Sequence, residues 1–585
     1  MPLPKQVMVG GCFPGISRRA CAPVPLLPTT DPESAVTTLP TTSMQKWSFP
    51  AALLLLVATL GGLGFYIFGS YQAFFNSDAA IANILAEEIV RTGSLFPKDW
   101  WYVNGDLWVF YKHLLLIPWV MAGENGFFAH GVSVALATAV TILLLAGVLR
   151  SLGLSGTAKV MGCVVIGLGY SPLYLREVYG EAAYTWYFAF LLAFFLLLNK
   201  ARSPVVSRFV RSALTGIFLV LLFLVTMENP VRFLVYYVVP FVLALAAFLY
   251  LEQEAPAEAG KSTLRELLFP WLPLAVAGCG AIFLGAFFHK LVFTGLHNAA
   301  GANHAVLVAM QKLPEHVAHS FLGLMNFIGA EWGEEVEMAS LAGVTALLKL
   351  GLYPLVLVLP ACYARKNFPL LDRGQRFFLL LSYLGFALIF FIYSISSLHD
   401  NAYAARNNIR YIIPFLMMVL LCPVLLWRFF PKPVKAALLL ALLIAALGSW
   451  RNISPPDWRD KAGERMMVVN TLKGRGLSNG YAPYWESHVY TVFSKGKVRI
   501  RPLDIDCRGV DRCLWLTSDS WHEPGYTTGR VFVLVPKERL ADWANGMRNF
   551  SLAPPVEEFT LANYQVLVFA ENPLPGLKGR NENCD

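Results

Sequence analysis

An acidic residue, Asp78, follows Asn76 and Ser77 shortly after the first long apolar run of the chain. A carboxylate here is suited to act as a general base on an acceptor hydroxyl or amine, if it lies within hydrogen-bond reach and has a tuned pKa. Asn, Ser and Asp are also preferred N-caps, and a helical pattern begins at Ala79. Asp78 therefore has two interpretations, a catalytic base and a capping residue.

Two glutamates, Glu177 and Glu181, follow the third apolar run and are four residues apart. On a helix they would share a face. Two such carboxylates can hold a divalent cation whose shell is completed by water and phosphate oxygens. The alternative, which the lack of further ligands in the motif favours, is an ion pair with the adjacent Arg176. A divalent cation is the one cofactor that the sequence suggests.

A tight turn between two later apolar runs contains Glu228 and Arg232 on either side of Pro230. Proline-centred turn chemistry explains this composition without any function. Charged residues at a membrane boundary that face a cavity are nevertheless often functional. Glu228 and Arg232 are therefore kept as secondary candidates for substrate binding.

Two arginines, Arg406 and Arg410, precede Tyr411 at the entry to another apolar run. Arginine is suited to bidentate contact with phosphate, so this motif predicts binding of a lipid carrier phosphate. The alternative is snorkelling, in which the arginine side chains anchor a helix end. Two observations favour function. The arginines are predicted to lie on the outer side of the membrane, although Lys and Arg usually concentrate on the cytoplasmic side, and His399 and Asp400 precede them.

The elements that must position these residues are membrane helices. The 585 residues are 56% hydrophobic and 15% charged, with a mean hydropathy of +0.53, which indicates a polytopic membrane protein. Eleven apolar runs are near the length that spans a bilayer. They cover residues 49–69, 127–149, 160–175, 182–199, 212–227, 231–251, 268–289, 341–364, 377–396, 410–428 and 433–450.

The Lys and Arg residues concentrate in alternate short loops, such as 200–211 and 365–376. Cytoplasmic loops are enriched in these residues, so the N-terminus is predicted to be cytoplasmic. An odd number of spans then places the C-terminal region outside, in a multi-pass protein of the cytoplasmic (inner) membrane. The net charge of +9 has the same topological origin and favours membrane lipids as partners, so no nucleic-acid binding is predicted.

Composition divides the chain into three parts. Residues 1–46 are rich in Pro, Ser and Thr and are predicted to be a disordered cytoplasmic segment. Residues 47–450 form the membrane domain, with two long outer segments at 70–126 and 290–340. Residues 451–585 have the composition of a soluble domain of ordinary size. The sequence predicts a small extracytoplasmic α/β domain there.

Within this last domain, short runs rich in β-branched and aromatic residues predict strands at 490–493, 497–500, 531–535 and 564–569. Helical patterns fall near 460–473 and 537–548. Cys507 and Cys513 are close enough in sequence to form a disulfide in an oxidising compartment, and the pattern leaves open whether they do.

Taken together, these features resemble the GT-C superfamily of integral membrane glycosyltransferases, which includes the protein O-mannosyltransferases and the lipid A aminoarabinose transferases. The resemblance rests on the order of the motifs: an acidic residue after the first span at 78, a second acidic motif at 177–181, and an Arg-Tyr-x-x-Pro sequence at 410–414. The segment 479–485 is similar to the soluble domain of bacterial members. The Trp-Trp-Asp-Tyr-Gly motif of the oligosaccharyltransferases is absent, so oligosaccharyl transfer is disfavoured.

The resemblance implies a hexosyl or pentosyl transferase that moves a sugar from a polyprenyl-phosphate donor to a glycan, lipid or protein acceptor at the outer face of the membrane. Asp78 would deprotonate the acceptor, and Arg406 and Arg410 would neutralise the leaving phosphate. Glu177 or Glu181 would orient the acceptor or hold a metal ion.

Two other functions remain open at this point. A transporter or flippase of a lipid-linked glycan would carry ionisable residues near the bilayer midplane, whereas the charges here cluster at one boundary. A non-catalytic membrane scaffold would use the C-terminal region as a binding module and would not need Asp78.

Overall fold

A computed structural model of the chain describes residues 43–107, 112–201, 206–253, 272–299, 306–330, 337–506, 509–523, 525–550, 554–574 and 579–580. Residues 1–42 of the segment 1–46, which is predicted to be disordered, lie outside the described residues. Cys507 lies outside them as well. The α-helices are α1 (Ser43–Phe68), α2 (Ser77–Thr92), α3 (Lys112–Met121), α4 (Phe127–Ser151), α5 (Gly156–Gly167), α6 (Pro172–Leu175), α7 (Ala183–Ala201), α8 (Arg208–Glu228), α9 (Pro230–Phe233), α10 (Val239–Gln253), α11 (Leu272–Phe293), α12 (Leu313–Phe327), α13 (Leu341–Asn367), α14 (Arg373–Ile395), α15 (Ala402–Asn408), α16 (Ile413–Leu425), α17 (Lys432–Ile453), α18 (Trp458–Gly474), α19 (Tyr484–Phe493) and α20 (Leu540–Phe550).

Most of the long helices are apolar enough to cross a membrane. Within the described residues, ten segments meet this criterion by length and composition, and there are eleven if a bent pair of helices is counted as one span. The prediction of an α-helical polytopic membrane protein with about eleven membrane helices is confirmed. The domain boundaries drawn from composition stay predictions.

The third span, predicted as one run over 160–175, is not a continuous helix. Its two parts, Gly156–Gly167 and Pro172–Gly180, meet at an angle of 103°. The second part starts anew because Ser171 caps the backbone N–H of Tyr174 at 3.0 Å and Pro172 has a φ suited to the first helical position. It then continues as a π-helical turn over Arg176–Gly180.

The segment between α1 and α4, predicted as the long outer segment 70–126, contains the helices α2 and α3. Helix α2 starts where the Asn76 side chain accepts a hydrogen bond from the N–H of Ala79 at 2.8 Å, and it ends at Gly93, which has a φ of 65°. This positive φ suits glycine because it has no Cβ. Most of α2 is buried, because it packs between α3 and α19.

The C-terminal region is built on one mixed sheet. Its strands are β3 (Asn479–Pro483), β4 (Arg499–Asp506), β5 (Gly509–Cys513), β6 (Val531–Pro536), β7 (Glu557–Leu561), β8 (Tyr564–Phe569) and β9 (Gly579–Arg580), after the earlier short strands β1 (Trp101–Val103) and β2 (His297–Ala299). The order is β7-β8-β6-β3-β4-β5-β9. The central strands β4, β3 and β6 are parallel, and β6 is buried throughout. This mixed helix and sheet region confirms the predicted α/β character.

The strand predicted at 490–493 is wrong, because these residues end helix α19. Tyr490, Thr491, Val492 and Phe493 have high β-propensity, but this preference is readily overridden by packing. Here Val489 and Val492 are buried in the core, and α19 packs against α2 and β4. Cys513 is disulfide-bonded, while Cys507, whose pairing with it the sequence left open, lies outside the described residues.

Candidate active site

A cavity of about 260 Å³ lies where the membrane helices meet the C-terminal sheet region. It collects residues that are hundreds of positions apart in the sequence. They are Asp78, Ile81, Val103, Asn104, Lys112, Glu181, Ala183, Tyr184, Tyr187, Arg232, Asn408, Arg410, Tyr411, Tyr484, Trp485, Trp515 and Leu516. A mostly apolar cavity with a few convergent charged groups is the usual form of a small-molecule site.

Asp78 lies in the first turn of α2, where it faces this cavity. The N-cap of α2 is Asn76, so capping does not account for Asp78. Instead, its Oδ1 accepts a hydrogen bond from the hydroxyl of Tyr484 at 2.8 Å. Tyr484 is held in turn, because the Ser77 hydroxyl donates to its carbonyl oxygen at 2.5 Å.

The electrostatic surroundings of Asp78 are mixed. Burial raises the pKa of this carboxyl, and the negative charge of Glu181 raises it further. The positive charge of Arg410 and the Tyr484 hydrogen bond lower the pKa and oppose this shift. A carboxylate with a raised pKa is a stronger base than an exposed one, which suits proton abstraction near neutral pH.

Glu177 and Glu181 lie close to the Asn76–Asp78 motif in the structure. Glu181 Oε1 accepts a hydrogen bond from the Asn76 side chain at 2.8 Å and lies 3.9 Å from Arg176. Glu177 is paired with Arg176 at 2.9 Å and lies 3.8 Å from Arg410. Two local features of the backbone orient Glu177 and Glu181 toward the same arginines. They are the π-helical turn over Arg176–Gly180 and the left-handed conformation of Ala182, which has a φ of 57°.

This pairing is a poor fit for the divalent cation suggested for Glu177 and Glu181. Both Glu177 oxygens face arginine side chains. The structure therefore contains the ion pair with Arg176, which was the alternative to a metal site in the sequence analysis. In the described part of the chain, no group of three or more His, Cys, Asp or Glu residues is arranged to hold a metal ion. Only Glu181 of the two lines the cavity.

The residues of the arginine motif do not all lie at the cavity. Arg410 and Tyr411 line the cavity, and the Tyr411 carbonyl oxygen is fixed by the hydroxyl of Tyr236 at 2.9 Å. Arg406 is not one of the residues that line this cavity as the structure describes it. The spacing of four puts the arginines on the same face only if the helix continues, but α15 gives way to a 3-10 turn at Ile409.

Of the turn residues Glu228 and Arg232, only Arg232 lines the described cavity. Arg232 lines the cavity, where it pairs with Asp106 at 2.9 Å and donates to the Tyr187 hydroxyl at 3.2 Å. Glu228 is buried, and its carbonyl oxygen accepts a hydrogen bond from the N–H of Leu107, so its backbone anchors the outer loop beside the cavity. Glu228 is not a lining residue of the described cavity.

Two charged residues of this site did not emerge as candidates from the sequence. Lys112, at the start of α3, is buried and donates to the Glu181 carbonyl oxygen at 2.7 Å. Asp106 is buried beside Arg232, and burial raises its pKa to about 6. The available signal was a charged residue next to an apolar run, since Lys112 is followed by the residues of a short apolar helix.

Lys112 gives the site a pH dependence on the alkaline side. Burial lowers the pKa of its ammonium group to about 8, against the opposing charges of Glu181 and Asp78. The positive charge is therefore present below pH 8 and is lost as the pH rises through that value. If this charge serves the reaction, activity should fall above pH 8, and Lys112→Arg, whose guanidinium stays charged, should remove this alkaline limb. Identical alkaline limbs in the two pH–rate profiles would exclude a role for the Lys112 charge.

The C-terminal region supplies one wall of the cavity through Tyr484, Trp485, Trp515 and Leu516. The loop that contains Trp515 is joined to the outer loop, because the N–H of Trp101 donates to the Thr517 carbonyl oxygen at 2.7 Å. Nearby, the Trp101 indole donates to Asp519, and the Trp521 indole donates to Glu88. The site is therefore complete only with the C-terminal region in place.

This architecture is shared with a solved membrane enzyme. ArnT from Cupriavidus metallidurans in the apo state, a lipid A aminoarabinose transferase, matches over 90% of this chain and 99% of its own, with a TM-score of 0.52 and 11% sequence identity. This chain has the GT-C fold. No protein-family model matches the sequence, and no curated protein matches it either.

Two other GT-C structures show a looser likeness. ArnT bound to undecaprenyl phosphate has the same coverage and identity, with a TM-score of 0.49. The Archaeoglobus fulgidus oligosaccharyltransferase in complex with Zn and sulfate has a TM-score of 0.40 at 11% identity, over 83% of this chain and 68% of its own. The likeness to apo ArnT covers 90% of this chain and shows the fold alone, because 11% identity says nothing about individual residues.

Proposed function

We propose that this chain is a membrane glycosyltransferase that moves a sugar from a polyprenyl-phosphate donor to an acceptor at the outer face of the cytoplasmic membrane. One observation supports it above all: the carboxylate of Asp78 and the cations Lys112 and Arg410 line the same cavity. A base for the acceptor and positive charge for a phosphate are the two requirements of this transfer. The GT-C fold is consistent with the proposal.

In the proposed reaction, Asp78 takes the proton from an acceptor O–H or N–H group. The acceptor atom bonds to the anomeric carbon of the sugar while the bond from that carbon to the phosphate oxygen breaks. The electron pair leaves with the polyprenyl phosphate, whose negative charge is stabilised by Arg410 and Lys112. Glu181 sits beside Asp78, with its carbonyl oxygen bonded to Lys112, and helps to orient the acceptor.

The alternative source of positive charge, Arg232, is already neutralised by Asp106 at 2.9 Å. Asp106 is buried and Arg232 is half-buried, and this pair is suited to hydrogen bonding with sugar hydroxyl groups rather than to charge stabilisation. Arg406 lies outside the cavity lining, so only Arg410 of its motif is assigned to the phosphate.

The proposal is tested with the purified protein in proteoliposomes that contain polyprenyl-phosphate sugars. Consumption of one such donor, with release of the polyprenyl phosphate and appearance of the sugar on an acceptor, is the expected result. Movement of the intact lipid-linked sugar between leaflets without cleavage would instead identify a flippase.

Tyr484 is a positioning residue for Asp78 in this scheme. Removing its hydroxyl in Tyr484→Phe takes away a hydrogen bond that lowers the Asp78 pKa. A bond to a charged acceptor contributes about 1.5–3 kcal/mol, so the acidic limb of the pH–rate profile should move up by about one to two pH units. The variant should lose most activity at low pH and recover toward the wild-type rate as the pH rises.

Tyr490→Phe is the matched control for this change. Its hydroxyl also bonds a neighbouring side chain of the C-terminal region, that of Tyr564 at 3.0 Å, but it does not line the described cavity. An unchanged acidic limb in Tyr484→Phe, or the same shift in Tyr490→Phe, would show that the Tyr484 bond does not tune Asp78.

A further inference from the structure

Among its described residues, the C-terminal region contains a buried arginine, Arg501, that forms no ion pair. Arg501, on β4, is 3% exposed, and its guanidinium carbon lies 4.0 Å from the ring centre of Trp521. It donates one hydrogen bond through Nη2, to the Tyr526 hydroxyl at 3.0 Å, whereas Nε and Nη1 are buried and have no hydrogen-bond partner among the described residues. Within the part of the chain that the structure describes, no ion pair is formed by Arg501. A buried cation without an ion pair is costly, so these buried N–H donors favour binding of an anion here.

Two histidines beside Arg501 have the same deficit. His488, on α19, is fully buried, and neither ring nitrogen has a hydrogen-bond partner in the described part of the chain. His522 is also buried, and its Nε2 has no partner there either. Burial lowers the pKa of both rings to about 3. The charge of Arg501 lowers that of His488 further, and the charges of Arg512 and Arg501 lower that of His522 further. Both histidines therefore lie close to Arg501.

The other charged groups around this cluster do not neutralise it. Arg512 pairs in register with Leu503, two residues from Arg501, and so adds a second positive charge to the same face of the sheet. Asp519 lies 3.8 Å from Arg512, and Glu88 pairs with Arg91 while accepting the indole N–H of Trp521. The cluster thus keeps a positive surplus at its centre.

We infer that Arg501, His488 and His522 form a binding site for a phosphate group. A guanidinium supplies paired N–H donors suited to phosphate, and the two imidazoles supply further donors from other elements, which suits a tetrahedral oxyanion. His488 lies one helical turn from Tyr484, with ring centres 5.6 Å apart, so the site is directly behind the wall of the candidate active site. Tyr526 is half-buried and covers the guanidinium, so a ligand would enter by displacing it.

The same chemistry fits inorganic phosphate and the phosphate monoester of a larger ligand. The site stands on these contacts alone and does not depend on the proposed glycosyl transfer. The test uses the full-length protein in detergent, titrated by calorimetry with inorganic phosphate and, separately, with glycerol 3-phosphate, at constant ionic strength. Binding of inorganic phosphate is expected in either case. Binding of the monoester as well would identify a ligand that carries its phosphate on a larger molecule.

Arg501→Met should weaken phosphate binding at least tenfold, in line with the loss of charged hydrogen bonds. Arg499→Met, a change on the same strand at a half-exposed side chain, should leave it unchanged. Arg501→Lys preserves the charge and guards against a folding defect, because it should bind phosphate more weakly than wild type while it keeps the wild-type melting temperature. No binding of either probe by wild type, or equal binding by Arg501→Met and wild type, would overturn the inference.

Discussion

Replacement of Asp78 by Asn should abolish nearly all sugar transfer, with a loss of about 10²–10⁴-fold, the usual contribution of general acid–base catalysis. Asn has the same shape, and its amide oxygen can still accept the Tyr484 hydroxyl that now bonds Asp78 at 2.8 Å. It has no basic oxygen to take a proton from the acceptor. The fold should be unaffected, because Asn76 caps the helix. The rate of donor consumption by the purified variant in proteoliposomes measures the effect.

Glu87→Gln is the matched control for this prediction. Glu87 belongs to the same helix α2 and also bonds neighbouring side chains, Asn125 at 2.9 Å and Arg499 at 3.8 Å, but it does not line the described cavity. This variant should transfer sugar at close to the wild-type rate. Wild-type turnover by Asp78→Asn would remove Asp78 as the base, and equal losses in both variants would point to a general effect of charge on α2.

Loss of the Arg410 charge should have the second largest effect, about 10²–10³-fold, because preorganised positive charge at a leaving group is worth that much. Arg410→Gln alone would remove one of the two arginines beside the buried Glu177, at 3.8 Å, and leave Arg176 as its counter-charge. The double variant Glu177→Gln, Arg410→Gln removes both charges and separates folding from catalysis. Donor consumption and the affinity for polyprenyl phosphate should both decline in the single and the double variant.

Arg406→Gln distinguishes the two arginines of this motif. Arg406 is four residues earlier but does not line the cavity, so its variant should keep most of the activity. If Arg406→Gln were the inactive variant and Arg410→Gln the active one, the assignment of the phosphate to Arg410 would be wrong.

Much of the site could be anticipated from the sequence, because membrane topology restricts where motifs can meet. Asp78, Glu181 and Arg410 each follow an apolar run that ends on the same predicted side, and the structure places all three around one cavity. Lys112 and Tyr484 could not be anticipated in this way. Lys112 meets Glu181 across 69 positions and Tyr484 meets Asp78 across 406, and neither contact leaves a local pattern.

The errors of detail have physical causes as well. Apolar length detects the third span but not its 103° bend, which comes from the cap at Ser171 and the break before it. The strand predicted at 490–493 reflects the high β-propensity of these side chains. The packing of α19 against α2 overrides this preference, and the residues are helical. Spacing of four between Arg406 and Arg410 suggested a shared role, but the chain changes from an α-helix to a 3-10 turn between them.

In the proposed reaction, the cavity lined by Asp78, Lys112 and Arg410 receives the phosphate of a lipid-linked sugar. A cryo-electron microscopy structure of the full-length protein in nanodiscs with a polyprenyl-phosphate lipid would show where this phosphate binds. We expect the phosphate within ion-pair distance of both Arg410 and Lys112, with its lipid chain running out between the membrane helices. A lipid phosphate bound elsewhere, with the cavity empty, would contradict this expectation.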